Sequence, residues 1–432
     1  MQSYSKVRTC AMFRCILWLT ILVCPFAAHG ADPTATKYSA GQCAGSSSPY
    51  PTVDPLLRAV PDSLAPVYLS HVGRHGARFI SSSKYTTLLL RHLNRADSTG
   101  TITKKGRELK AAVENLVKVT DRRWGALDSL GMAEQRAIAS RTHQTFPTLF
   151  RDTRISAISS YVPRCIASMD EFTHQLTRLD NKVEIYTSSG RQNNALMRPW
   201  TDNAEYKAFV GSAETDSVYM SFARQVLPAD AVTSILGERY ALQEGEIFDI
   251  AVTLYKVIAG AQAMRPDLID PMKFLTLGQY NALWAISNLD HYLRHSASTL
   301  STVPMELATA LLTDIVEGLD RAAEGKTEEA VMLRFGHAET LMPLLALMRL
   351  KGCYYMTNYF DTVGLHWRDF DIVPMAANIQ MALLRSKSGR LYLRTELNEV
   401  PVPLIPGRSD IYVPWSEARS YLLRCLPLYL QP

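Results

Sequence analysis

The sequence predicts an α/β fold with a helical segment set into it, and three observations carry that expectation. Strand-like stretches alternate with stretches of helical periodicity over the first 190 residues. From about residue 191 to 299 long helical patterns dominate and β-branched runs are scarce. After residue 300 the alternation returns, which points to βαβ units and a parallel sheet. The expected organisation is an α/β core in two parts, 31–190 and 300–432, with a helical cap insert at 191–299. A leader at 1–30 precedes it.

Each element follows from local pattern. "APVYLSHV" reads as a strand and "TKKGRELKAAVENLVKVTDRRW" as a helix with apolar residues at helical spacing. "MAEQRAIASRTHQTFPTLF" is a second helix, "ISAISSYV" a strand, "RCIASMDEFTHQLTRL" a helix and "KVEIYTSS" a strand. In the insert, "FDIAVTLYKVIAGAQAM" and "LTLGQYNALWAISNLDHYLRH" are helical. The core resumes with helix "MELATALLTDIVEGLDRAAEG", strand "AVMLRFG" and helix "TLMPLLALMRL". A hairpin turned at "SKSG" closes it, within "IQMALLRSKSGRLYLRTEL". The Ser- and Gly-containing stretch "GQCAGSSSPYP" at 41–51 reads as an N-terminal extension.

The leader has the parts of a secretory signal. "KVRTCAMFR" is basic, "CILWLTILV" is apolar but too short to span a bilayer, and "AHG" before Ala31 resembles a cleavage site. The bulky Val23 before Cys24 argues against lipoprotein processing. An exported protein, periplasmic or secreted, is expected. Removing Lys6, Arg8 and Arg14 with the leader lowers the formal charge from +5 to +2. A nearly neutral mature chain argues against nucleic acid or a membrane surface as partner, so attraction to anions must be local. Cys43, Cys165, Cys353 and Cys425 remain, an even number that permits two disulfides in three alternative pairings. No C-x-x-C pair suggests a zinc site.

The strongest local signal is "VYLSHVGRHGARFIS", 67–81. It sets Arg74, His75 and Arg78 just past a strand, where ligands bind in α/β sheets. Arginine matches phosphate with two parallel charge-assisted hydrogen bonds, and glycine lets backbone approach an anion. Nearby positive charge keeps the histidine neutral, hence nucleophilic. A surface loop rich in Arg and His would fit any one of these residues but less readily the spaced set. "LRFGHAETLMPL", 333–344, repeats the pattern: strand, glycine, then a polar cluster at a helix start. His337 can donate to phosphate oxygen and Glu339 can protonate a leaving oxygen. His291 and His295 in "HYLRH" have metal-like spacing but lack the glutamate of a zincin motif, and read as a solvated helix face.

"RHGAR" followed far downstream by "GHAE" resembles the histidine acid phosphatase superfamily, and within it the multiple inositol polyphosphate phosphatases, which carry His-Ala-Glu. "SLGMAEQRAIASRTHQTFP", "YVPRCIASMDEF" and "NNALMRPW" resemble further family segments. The resemblance implies a phosphoglycerate-mutase-like core sheet flanked by helices, with the insert capping the site. It makes His75 the phosphorylated nucleophile and Glu339 the proton donor. Arg74, Arg78 and Arg164 become the phosphate clamp, with His337 as an extra donor. Lys84 falls slightly beyond the place where relatives present a phosphate-binding lysine, and is carried over as a further contact. No metal or other cofactor is called for, because guanidinium groups neutralise the charge. The implied substrate is an inositol polyphosphate, phytate above all, and the insert is expected to contribute to that selectivity. A broad acid phosphatase, a bisphosphoglycerate phosphatase or a silent phosphate-binding protein are the rival readings.

Overall fold

The computed structural model describes residues 38–243 and 245–427; the proposed leader lies outside them. Its centre is one mixed sheet. The strands are β1 (Leu64–Arg74), β2 (Arg154–Ser159), β3 (Glu184–Ser189), β4 (Glu329–Gly336), β5 (Asn378–Ser386), β6 (Leu391–Leu397), β7 (Val400–Val402) and β8 (Tyr412–Pro414). They run in the order β3-β2-β4-β1-β5-β6-β7, with β8 also paired to β6. From β3 to β1 every pair is parallel, as the alternation predicts. From β1 to β7 every pair is antiparallel. For β5 and β6 the reason is connection length: a tight turn with Gly389 at φ +85° joins them, and only a long crossover can make sequential neighbours parallel.

β1 is buried without interruption from Tyr68 to Arg74, because helices cover both faces. On one face lie α3 (Ser129–Thr145) and α4 (Pro163–Leu179), whose Ile138, Met169, Phe172 and Leu176 pack on Leu69, Val331 and Leu333. On the other lie the helices Thr309–Ala323, Ala338–Leu347 and Trp415–Cys425. Above the sheet edge sits a helical layer. It unites α1 (Ser83–Ser98) and α2 (Lys104–Thr120) with the helices Ala229–Leu236, Glu246–Gln262 and Leu277–His295 around a second apolar cluster. Two separate stretches of chain therefore build this layer. Among the described residues no helix is long and apolar enough to cross a membrane.

The four cysteines are free, which corrects the expectation of two disulfides. Each packs singly as a small apolar side chain. Cys43 lies in the helical layer, Cys353 and Cys425 lie under the sheet, and Cys165 faces the Gly336 carbonyl from 3.2 Å. Burial pushes the thiols of Cys43, Cys165 and Cys353 up to about 12, which removes the reactive thiolate.

The turn after β1 lies backbone-to-backbone on α3. A Cβ on Gly76 would sit 2.5 Å from the Gly131 carbonyl oxygen, and one on Gly131 only 2.1 Å from that of Ala77. Asp128 caps the same helix turn by accepting from the Gly131 N–H. Gly131→Ala should therefore cost about 1–3 kcal/mol, the usual overpacking range. Denaturant melts will check the cost, and activity should fall with it because the turn carries His75. A full-stability variant would show that the contact relaxes freely.

His71, at the middle of β1, gives a second test. Burial first, then the charges of Arg58 and Arg334, push it down to about 3. The unfolded chain takes up this proton near pH 6.5 and the fold does not. Stability should thus fall as pH drops from about 6.5, by about 1.4 kcal/mol per unit for this residue. Denaturant titrations between pH 7.5 and 5 should show a shallower slope in His71→Asn.

Candidate active site

The parallel pairing of β1 with β4 brings the two motifs together. Arg74 lies opposite Gly336 in the ladder, and the His75 N–H donates to the Gly336 carbonyl at 3.0 Å. β2 ends beside β4, where the Ser160 N–H donates to Phe335. Three strand ends thus deliver His75, His337 and Ser160 to one sheet edge. The first turn of α4 adds Arg164 and the segment after β3 adds Arg198. The turn itself is held rigid: the Gly76 N–H donates to Ser168 Oγ and the Ala77 N–H to Glu134 Oε2.

His75 is 3% exposed, and its Nδ1 lies 2.9 Å from the Gly76 carbonyl oxygen. A carbonyl can only accept, so Nδ1 carries the proton and Nε2 keeps its lone pair when the ring is neutral. Neutral it is. Burial, then the charges of Arg164, Arg74 and Arg78, hold it well below the ordinary histidine range. Burial also lowers Arg74 to about 10 and Arg78 to about 9, and mutual repulsion adds to it. Arg74 is tied by Nη1 to the carbonyls of Ser46 and Val373 at 2.5 and 2.6 Å. Arg78 donates to Phe79. The Nε–H groups of Arg74, Arg78, Arg164 and Arg198 are all buried without a protein partner. Crowded cations with spare donors make an anion-binding site.

His337 stands 5.7 Å from His75, centroid to centroid. Its Nδ1 faces Arg164 Nη2 and its Nε2 faces Arg198 Nη1, both at 3.3 Å, with Ser160 Oγ 3.1 Å from Nε2. Burial lowers it to about 3. Glu339, half-buried in the first turn of the helix that His337 caps, sets an acid beside this cluster of cations. Burial alone would raise it, but His337, His295, its own N–H and Arg74 pull it down to about 2. Without a bound anion it is a carboxylate.

His75, Arg74, Arg78, Arg164, His337 and Glu339 thus converge. Lys84 does not join them: it is exposed on the first turn of α1, and its neighbour Tyr85 lines the cleft instead. His291 and His295 are not a solvated face. His295 is buried against Tyr206, and His291 is bonded to the buried Asp369. Metal-like spacing did not make a metal site here; among the described residues no cluster of His, Cys, Asp and Glu could hold an ion. Residues 41–51 are not a loose extension either. They form a short helix, Gln42–Ser47, that turns the Ser46 carbonyl onto Arg74. Arg198 was legible in "NNALMRPW" only as an arginine near a predicted insert, with nothing local to mark it as a site residue.

No protein-family model matches the chain. Human multiple inositol polyphosphate phosphatase 1 is 25% identical over 429 residues, which span 88% of this chain and 85% of that protein. The enzyme of the same name from Gallus gallus is 22% identical over 436 residues, 94% of this chain and 92% of its own. Among solved structures, the Bifidobacterium longum multiple inositol polyphosphate phosphatase bound to inositol hexasulfate superposes with a TM-score of 0.77 at 19% identity, covering 88% of this chain and 97% of that one. The phytase from D. castellii gives 0.68 at 14%, covering 89% and 85%. The structural neighbours speak for the fold, and along most of its length the sequence is similar to the human and chicken multiple inositol polyphosphate phosphatases.

Proposed function

We propose that this chain is an exported phosphomonoesterase that removes phosphate from inositol polyphosphates, phytate among them, through a phosphohistidine on His75. The observation that carries the reading is a neutral His75, with Nε2 free to attack, inside a ring of guanidinium groups with unused donors. Relatives of that name, one with a bound hexasulfate of the same ring, support the substrate class. The basic and apolar segments at 6–23 support export.

Two displacements follow. The lone pair on His75 Nε2 attacks phosphorus, the bond from phosphorus to the ester oxygen breaks, and Glu339 gives its proton to that oxygen. Water then attacks the phosphohistidine, Glu339 takes a proton from it, and the P–N bond breaks to release phosphate and neutral His75. Arg74, Arg78, Arg164 and Arg198 meet the charge on the equatorial oxygens, and stabilisation of this kind usually lowers such a barrier more than any other effect. Glu339 becomes a proton donor only once substrate is bound. A phosphate anion neutralises the cations that held it ionised, and a monoanionic phosphate brings the proton with it.

Phosphate release from phytate and from p-nitrophenyl phosphate, with and without a chelator, is the first test. Both substrates should turn over, and chelator should leave the rates unchanged, since guanidinium groups already neutralise the transferring group. Rapid quenching with labelled substrate should trap the phosphate on His75, and His75→Ala should abolish turnover with its melt unchanged. Label on another residue would overturn the assignment.

Glu339→Gln separates its role by leaving group. An inositol alkoxide is strongly basic, so the first step with phytate should slow by roughly 10²–10⁴-fold. Nitrophenolate leaves unaided, so rapid mixing should still show a burst of nitrophenol. Equal loss in both first steps would mean that Glu339 is not the donor.

A further inference from the structure

Beside the phosphate site opens a polar cleft of about 140 Å³. Arg78 lines it and belongs to the arginine cluster as well, so the two spaces adjoin. The helical layer supplies the opposite side, with Lys256 from the helix Glu246–Gln262 and Ser287 and His291 from the helix Leu277–His295. Tyr85 from α1 completes it, and the Lys256 ammonium sits 5.2 Å from the centre of the Tyr85 ring.

His291 is not placed there by chance packing. Its Nδ1 lies 2.7 Å from Oδ2 of Asp369, a residue with no exposed surface. Asp369 is fixed in turn by the Trp284 indole N–H at 2.9 Å, the Ser46 N–H at 3.2 Å and, through its own N–H, Asn288 Oδ1 at 2.9 Å. A carboxylate accepts, so Nδ1–H of His291 must donate to it, and Nε2 is left for the cleft. Burial works against a charged ring here. The bond to and charge of Asp369, with Asp290 and Glu339 adding, outweigh it and raise His291 above the ordinary histidine value. Arg78, Lys256 and the phenols of Tyr85 and Tyr255 in the cleft, with His295 6.4 Å away ring to ring, are the other charged or titratable groups near it.

We propose that the Asp369–His291 pair and Lys256 form a second phosphate subsite, which holds a phosphate of the inositol ring other than the one delivered to His75. This rests on the phosphomonoesterase reading and gives it a source of selectivity. A monophosphate cannot reach both subsites at once, whereas a ring bearing several phosphates presents its second anion to an imidazolium and an ammonium. Arg78 lines the cleft and belongs to the arginine cluster, so it joins the two spaces. His291 and Lys256 are binding residues here, and Asp369 is a positioning residue.

The test uses the full chain carrying Lys256→Gln, His291→Gln or both, with phytate and p-nitrophenyl phosphate as substrates. Each single variant should raise KM for phytate about 10-fold or more, the loss of one charge-assisted contact, and change that for p-nitrophenyl phosphate less than threefold. In the wild type, KM for phytate should also climb as pH rises past the histidine range, and His291→Gln should flatten that climb. His291 anchors Asp369, so its variant could disturb the fold. Lys256 bonds to neither residue, and the same split in Lys256→Gln keeps the reading testable. Parallel loss on both substrates, or no loss, would overturn the subsite. Calorimetry with inositol hexasulfate against inorganic sulfate separates this reading from the catalytic one. Unchanged hexasulfate affinity in both variants removes the subsite even if phosphate release stands. A 10-fold weakening supports the subsite even if no phosphoenzyme is trapped.

Discussion

Repulsion among like charges governs this molecule. Four guanidinium groups converge on two buried histidines, and Glu339 is the acid whose ionised form this neighbourhood favours. At the effective dielectric of a protein such pairs repel by several kcal/mol at contact. The surrounding structure is what holds them. Arg74 is gripped by carbonyls from residues 28 positions before it and 299 positions after it. Arg164 and Arg198 approach the two nitrogens of one imidazole from opposite sides. Backbone oxygens and neutral rings hold the cations without neutralising them. The unmet charge remains available to an anionic ligand.

That constraint explains why the fold must be rigid where it is. The turn between Arg74 and Arg78 has its N–H groups taken by Ser168 and Glu134, and two glycines let it lie directly on α3. A looser turn would let the arginines swing apart toward water, which is where their repulsion drives them. The parallel ladder between β1 and β4 does the remaining positioning: one register step joins the ends of two motifs that lie far apart in the chain.

What could be read from the sequence divides along physical lines. "RHGAR" and "GHAE" were legible because their chemistry is local: charged side chains spaced by glycines at strand ends. The parallel half of the sheet was legible because fully buried strands separated by helices leave a long apolar rhythm. Its antiparallel half was not predicted beyond one hairpin, since a strand pattern does not state its partner. Ser46 acts through a carbonyl oxygen, which has no residue-specific signature, so its segment passed for an extension. His291 looked solvated because its partner Asp369 is 78 residues away in a different segment. Arg198 stands among ordinary insert residues, and only tertiary contact distinguishes it. The cysteine count suggested bridges, but an even number constrains nothing when each thiol is packed alone.

In the reaction proposed above, the same cations would set the order of events. Without ligand, burial and these cations keep His75 neutral, while His337, His295 and Arg74 hold Glu339 ionised, so on this reading the nucleophile is ready and the acid is not. An acid already protonated in the empty site would need Glu339 to lie away from positive charge, and so away from the phosphate it must serve. A bound phosphate resolves the conflict by cancelling the field at both residues. Glu339 rises toward the range where it can hold a proton, while His75, its lone pair now aimed at phosphorus, needs no further activation. Under the proposed mechanism, Glu339 would again be a carboxylate once the leaving group departs, which is the state required of a base toward incoming water. On this reading the proton inventory of the cycle is tied to occupancy of the arginine cluster, and one electrostatic arrangement would serve both displacements.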